Sequence, residues 1–151
     1  MTYVFTKISG LPENQIMGSG TILDTARLRY GLSEHFKVAQ GNIHAYVFGE
    51  HGDTSFIPWT GAYISGLSTD EYYEEMKAHG KDVKPLDKEA MLEYVQKSGG
   101  KVIAKKGATF YAVSATVCQL VGLILAASDS LATVSSMLHG EYGIEDVCLS
   151  T

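Results

Sequence analysis

Residues 107–128, GATFYAVSATVCQLVGLILAAS, contain no charged side chain. A run this long and apolar has to leave water, either across a bilayer or inside a folded core. Ser, Thr, Gln and Gly interrupt it throughout, so the sequence favours a helix beginning near Thr109 and buried in a soluble core over a membrane span. The remaining composition agrees: 151 residues, 45% hydrophobic and 19% charged, suit a single compact domain with one core.

The formal net charge of -5 and the scattered Lys and Arg provide no basic field, which excludes nucleic acid as an expected partner. The two cysteines, Cys118 and Cys148, match neither zinc-ligand spacing nor a CxxC redox pair, and they suggest a reducing cytoplasm. The first twenty residues lack the basic start and long apolar run of a secretory signal.

After the flexible Gly18-Ser19-Gly20, Thr21 or Asp24 can cap a first helix whose apolar positions are Ile22, Ala26, Leu28, Leu32 and Phe36. HAYVF (44–48) reads as a short strand running into GEHGD, and SFIPW (55–59) as a second strand limited by Pro58. The polar segment that follows predicts a helix over Asp70–His79 and a turn at Lys84-Pro85. A helix is expected from Lys88 towards Ala104, frayed or bent at Gly99-Gly100. The tail predicts two strands, Ala132–Leu138 and Asp146–Leu149, joined through Gly140–Gly143. The chain stops just after the second of these begins and opens on an apolar MTYVF with no evident partner, so 1–151 is expected to be one domain truncated at both ends.

Three segments carry the candidate chemistry: GSGTILDTARLRY, GEHGDTS and KKGATFY. The first fails as a dinucleotide fingerprint, because the third glycine of GxGxxG would fall on Leu23, and no GxxxxGK[ST] loop is present. Asp24 and Arg27, three apart on one helix face, taken alone are a surface ion pair worth about 0.3 kcal/mol. His51, set among acids, is the most interesting titratable group: imidazole titrates near ~6.5, and a neighbouring carboxylate would raise that value and suit proton exchange at neutral pH. For an arbitrary histidine, a backbone-bonded turn residue is the commoner outcome. His35, His79 and His139 are assigned to such turn or surface settings. No metal site is expected, since HExxH is absent and no second histidine stands at ligand spacing. Ser19, Ser55 and Ser114 are available nucleophiles, but none lies in GxSxG, which leaves a hydrolase poorly supported.

LDTARLRY, HAYVFGEHGDTSFIPW and KKGATFY, in that order, resemble the C-terminal, substrate-binding half of bacterial-type L-lactate dehydrogenases in the lactate/malate dehydrogenase family. The resemblance runs from SGLPENQIMGSG to GEYGIEDVCLS, nearly the whole chain. It implies an α+β fold with antiparallel strands packed against long helices and no Rossmann domain. By this resemblance His51 is the proton donor and acceptor for the C2 oxygen of pyruvate and lactate, with Asp24 its orienting partner. Arg27 matches the arginine that grips the substrate carboxylate, and Thr109 the pocket threonine near the substrate's small end; Thr109 could also serve as a helix N-cap. With Asp24 turned to His51 and Arg27 to substrate, the two need not bind each other. Arg29 and His44 match positions that meet fructose 1,6-bisphosphate at a subunit interface in regulated members.

The resemblance further implies NAD, held mainly by an N-terminal domain that these residues lack, and a homotetrameric parent. The chain alone is then expected to be inactive, and helices that should pack on missing surfaces to expose apolar area and promote association. GEHGDTS and Thr109 favour lactate over malate or another 2-hydroxy acid. A non-catalytic oligomerisation and effector-binding module is the competing reading.

Overall fold

The computed structural model describes residues 1–151. Its organising element is a helix over Ile22–Phe36, preceded by a short N-terminal helix at Thr2–Ile8; these are α2 and α1. Leu28, Leu32 and Phe36 lie along one face of α2 at helical spacing and are fully buried. Ile43, Ala45, Val47, Ile57, Ala62, Ile64 and Val95 complete the core around them. The helix stops at Lys37, whose backbone is left-handed with φ 55°.

Neither residue proposed to cap α2 does so with its side chain. Thr21 is spent on tertiary contacts: its hydroxyl donates to the Val47 carbonyl at 2.5 Å, and its N–H donates to Ser150 Oγ at 3.0 Å. Asp24, one turn further on, is committed to other side chains.

A small antiparallel sheet follows, made of β1 (Ile43–His44), β2 (Tyr63–Ile64) and β3 (Leu67–Ser68) in that spatial order. The expected 44–48 strand is shorter than its pattern suggests. Its inward alternation persists through buried Ala45 and Val47, but beyond His44 the backbone pairs only once, as a Phe48–Phe56 bridge. That bridge is all that forms of the 55–59 strand, because Pro58 lacks an N–H to extend a ladder and instead leads into a 3-10 turn at Trp59–Gly61. The β2–β3 hairpin was not anticipated. Ser65 and Gly66 both have positive φ, 52° and 90°, the pair of values that a tight two-residue turn between twisted strands demands.

Ser68 and Glu71 form a reciprocal capping box that starts α3 (Thr69–Ala78). α4 then runs from Lys88 to Lys106, begun by Asp87, which accepts from the Ala90 N–H, and ended by Gly107 at φ 78°. It passes through Gly99-Gly100 without the predicted fraying. The propensity loss of about 1 kcal/mol per glycine is local, whereas packing against α2 through fully buried Val95 holds the whole helix.

The uncharged run forms α5 (Tyr111–Leu125), and here the expectation of a buried core helix is corrected. Thr116 is its one buried residue, while Val121, Ile124 and Leu125 are 47%, 54% and 81% exposed. α5 rests on α2 along one side, and most of its remaining surface is exposed.

The tail forms the predicted hairpin as β4 (Ser135–His139) and β5 (Glu145–Ser150), with a bulge at Leu138/His139. The apolar N-terminus does have a partner, since α1 packs on this hairpin, where the Tyr3 hydroxyl and Lys7 Nζ both reach Asp146. Gly20 explains why the GSG turn is glycine-rich. A Cβ there would fall 2.2 Å from Ser150 Oγ and 2.6 Å from the Ser135 nitrogen, at a φ of +51°. The turn serves close packing of α2 against the hairpin.

Candidate active site

The site is built from the first turns of α2, the loop 49–55, the middle of α4 and the α4–α5 link. α2 presents Asp24 and Arg27 on one face, as their i,i+3 spacing requires. The loop leaves the Phe48–Phe56 bridge at Gly49, whose backbone is itself bridged to Ser150. Internal bonds then fold it back: Gly52 N–H donates to the Glu50 carbonyl at 3.0 Å, and the Ser55 hydroxyl to the Gly52 carbonyl at 2.9 Å. His51 is thereby carried over the N-terminal end of α2.

Asp24 is 4% exposed and uses both carboxylate oxygens. Oδ2 lies 2.5 Å from His51 Nδ1, and Oδ1 accepts from Arg27 Nη1 at 2.9 Å. The sequence reading that Asp24 and Arg27 need not bind each other is thus revised, because one carboxylate has enough lone pairs for both partners. A carboxylate only accepts, so the proton of the neutral imidazole resides on Nδ1. Nε2 is left with its lone pair, or with a second proton when the ring is charged. The hydrogen bond to Asp24 is the main cause that raises the His51 pKa above its ordinary value. Burial and the Arg27 charge oppose it, and the Asp24 and Glu50 charges assist.

These three side chains open into a cleft of about 330 Å³. Thr109 lines the same cleft, so the structure brings together all four residues proposed for catalysis and substrate binding. Thr109 is not an N-cap: α5 begins one residue later than that role requires, with Phe110 at the cap position and no side-chain capping bond. Arg29 and His44 are elsewhere. Arg29 is two residues beyond Arg27, hence on another face of α2. It donates from Nε to the Ala45 carbonyl at 3.1 Å, lies over the Tyr46 ring, and lines a separate cavity of about 260 Å³. His44 is exposed on β1 and borders neither cavity.

Ser55 also borders the cleft, but its hydroxyl donates to Gly52, not to a base, which argues against a nucleophile. No group of three His, Cys, Asp or Glu side chains is assembled to hold a metal ion. Three other histidines have partners away from the cleft: His35 meets the Lys84 carbonyl, His79 the Glu75 carbonyl and His139 the Glu13 carboxylate.

Sequence reasoning missed the α4 wall, formed by Gln96, Gly99, Gly100 and Ile103. Their spacing of i, i+3, i+4 and i+7 places them on one helical face, a signal that was legible but carried no chemistry by itself.

The sequence pattern of the lactate/malate dehydrogenase alpha/beta C-terminal domain matches residues 21–151. The chain is 46% identical over 150 residues to an L-lactate dehydrogenase of Acetivibrio thermocellus, covering 99% of this chain and 46% of that protein. It is 45% identical over 147 residues to L-lactate dehydrogenase 1 of Clostridium acetobutylicum, covering 97% and 46%. Among solved structures, an L-lactate dehydrogenase from Clostridium thermocellum superimposes with a TM-score of 0.85 at 38% identity, covering 99% of this chain and 47% of that one. A lactate dehydrogenase from a Medee basin deep-sea metagenome library superimposes with a TM-score of 0.90 at 31% identity, covering 99% and 46%. The chain spans about half the length of the relatives it matches. It belongs to the lactate/malate dehydrogenase family, as the α+β C-terminal domain of that family.

Proposed function

We propose that this chain is the substrate-binding and proton-transferring half of an NAD-dependent L-lactate dehydrogenase. The observation that carries the reading is the shared carboxylate of Asp24, which fixes His51 and Arg27 at one cleft. With Nη1 engaged by Asp24, the guanidinium of Arg27 keeps other N–H groups for the two oxygens of a substrate carboxylate, a fit that the point charge of lysine lacks. Pyruvate held there directs its C2 oxygen to His51 Nε2. The ring gives its Nε2 proton to that oxygen as C2 is reduced, and in the reverse direction takes it from the lactate hydroxyl. Asp24 holds the ring orientation and stabilises the charged imidazolium. Thr109 borders the space for the small end of the substrate.

The residues of this chain do not fit a dinucleotide. Both sheets are antiparallel, and the only glycine-rich turn before a long helix is packed against β4 and β5. NAD binding is therefore assigned to the part of the longer relatives that this chain does not match. Arg29 and His44 are assigned to fructose 1,6-bisphosphate at an interface of a homotetramer, and the parent enzyme to the cytoplasm.

The test is binding. Titrating pyruvate into isotope-labelled chain should shift the His51 ring resonances saturably, and Arg27→Leu should abolish the effect. Binding indifferent to Arg27→Leu would overturn the reading, and stronger binding of oxaloacetate than pyruvate would overturn the lactate assignment. NADH oxidation by the chain alone would overturn the placement of the cofactor site.

A further inference from the structure

We propose that Gln96 is a positioning residue for His51, its side-chain amide fastening the imidazole-bearing loop to α4 so that ring and Asp24 carboxylate stay in register. The proposal rests on the reading of His51 as the proton-transferring group.

Gln96 Nε2 stands 3.0 Å from the Asp53 carbonyl oxygen, 3.1 Å from that of Ser55 and 3.4 Å from Ser55 Oγ. Carbonyl oxygens only accept, so the atom facing them is the NH2 group, whose two protons match the two carbonyls. The loop's own hydrogen bonds give it a shape but do not place it. Its two backbone bridges lie at its root, and the His51 side chain is 61% exposed, so packing does little to hold the ring. Gln96 supplies the remaining anchor. It follows Val95, which is fully buried in the core shared with α2, and so connects the loop carrying the ring to the helix carrying its partner. A hydrogen bond weakens steeply as its angle departs from linear, so a shift of the loop relative to α2 would loosen the contact between His51 Nδ1 and Asp24.

The charged groups facing His51 are Asp24 and Arg27 from α2 and Glu50 from its own loop. The cleft residues of α4, the link and α5 (Gln96, Gly99, Gly100, Ile103, Thr109 and Val113) have no titratable group. Replacing Gln96 by Met therefore changes no charge near the ring, and any change in its titration reports geometry.

The experiment is an NMR titration of the His51 ring nitrogens in wild type, Gln96→Met and Asp24→Asn. Expected is a lowered His51 pKa in Gln96→Met, smaller than the drop in Asp24→Asn, with loss of the strict Nδ1–H tautomer at high pH. A drop in Asp24→Asn alone overturns the role of Gln96 and leaves the proposed function standing. No change in either variant overturns both. Should Gln96→Met fail to fold, wild type decides: hydrogen-bond couplings from the Gln96 amide to the carbonyls of Asp53 and Ser55 support the clamp, and their absence overturns it.

Discussion

Asp24 Oδ2 lies 2.5 Å from His51 Nδ1 although the two residues are 27 positions apart, and the ring they orient projects into the cleft that Arg27 also borders. An i,i+3 ion pair, taken alone a surface feature of small consequence, is here part of a three-residue hydrogen-bonded cluster that lines the cleft. Its third member comes from a loop.

That relationship sets a pH dependence. The folded-state pKa of His51 is raised, so folding is favoured by proton binding: the contribution is fully present below the unfolded value near ~6.5 and is lost as pH rises through the higher folded value. Urea unfolding of wild type and His51→Asn should show a stability difference that is larger at about pH 5.5, roughly one unit below the reference, than at alkaline pH. The exposure of the ring keeps the effect small. A difference independent of pH would refute the linkage.

Two glycines should respond to alanine in opposite directions. Gly100 lies inside α4 with nothing within 4 Å of the point a methyl group would occupy, so Gly100→Ala should stabilise the chain by about 0.5–1 kcal/mol. Gly20→Ala should destabilise it by more than that, since positive φ and the close approach of Ser135 and Ser150 both oppose a side chain. Chemical denaturation of the two variants checks both signs.

Thr21→Val preserves shape and removes a buried donor. The Val47 carbonyl would lose the hydroxyl partner it now has, at a cost of about 1–3 kcal/mol. The midpoint of urea unfolding should fall accordingly, with an unchanged m-value.

Exposed apolar residues on α5 should make the chain self-associate. Sedimentation velocity is expected to show concentration-dependent species that diminish when Val121, Ile124 and Leu125 are replaced together by Gln. A wild type that stays monomeric at high concentration would contradict this.

Much of this was legible in the sequence. Leu28, Leu32 and Phe36 declared the core face of α2, and the tail declared its hairpin, because both signals are local and periodic. The proximity of Asp24, Arg27, His51 and Thr109 was accessible only through resemblance, since no local rule brings together segments so distant in sequence. Two features misled and a third was missed. Burial of α5 depends on neighbours and not on its own composition. Thr21 looked like a cap because its tertiary acceptor, Val47, lies 26 residues away. Gln96 is one amide on a long helix, and its meaning comes from the carbonyls of Asp53 and Ser55 on another element.

The contacts of Ser150 impose an order in time. Its hydroxyl takes the Thr21 N–H at the base of the helix bearing Asp24 and Arg27, 129 residues earlier, and its backbone bridges Gly49 at the root of the loop bearing His51. Both anchors therefore form only after the chain has been translated through Ser150, long after Thr21 and Gly49 themselves. Until then the base of α2 and the root of the His51 loop lack the contacts that tie them to the same strand.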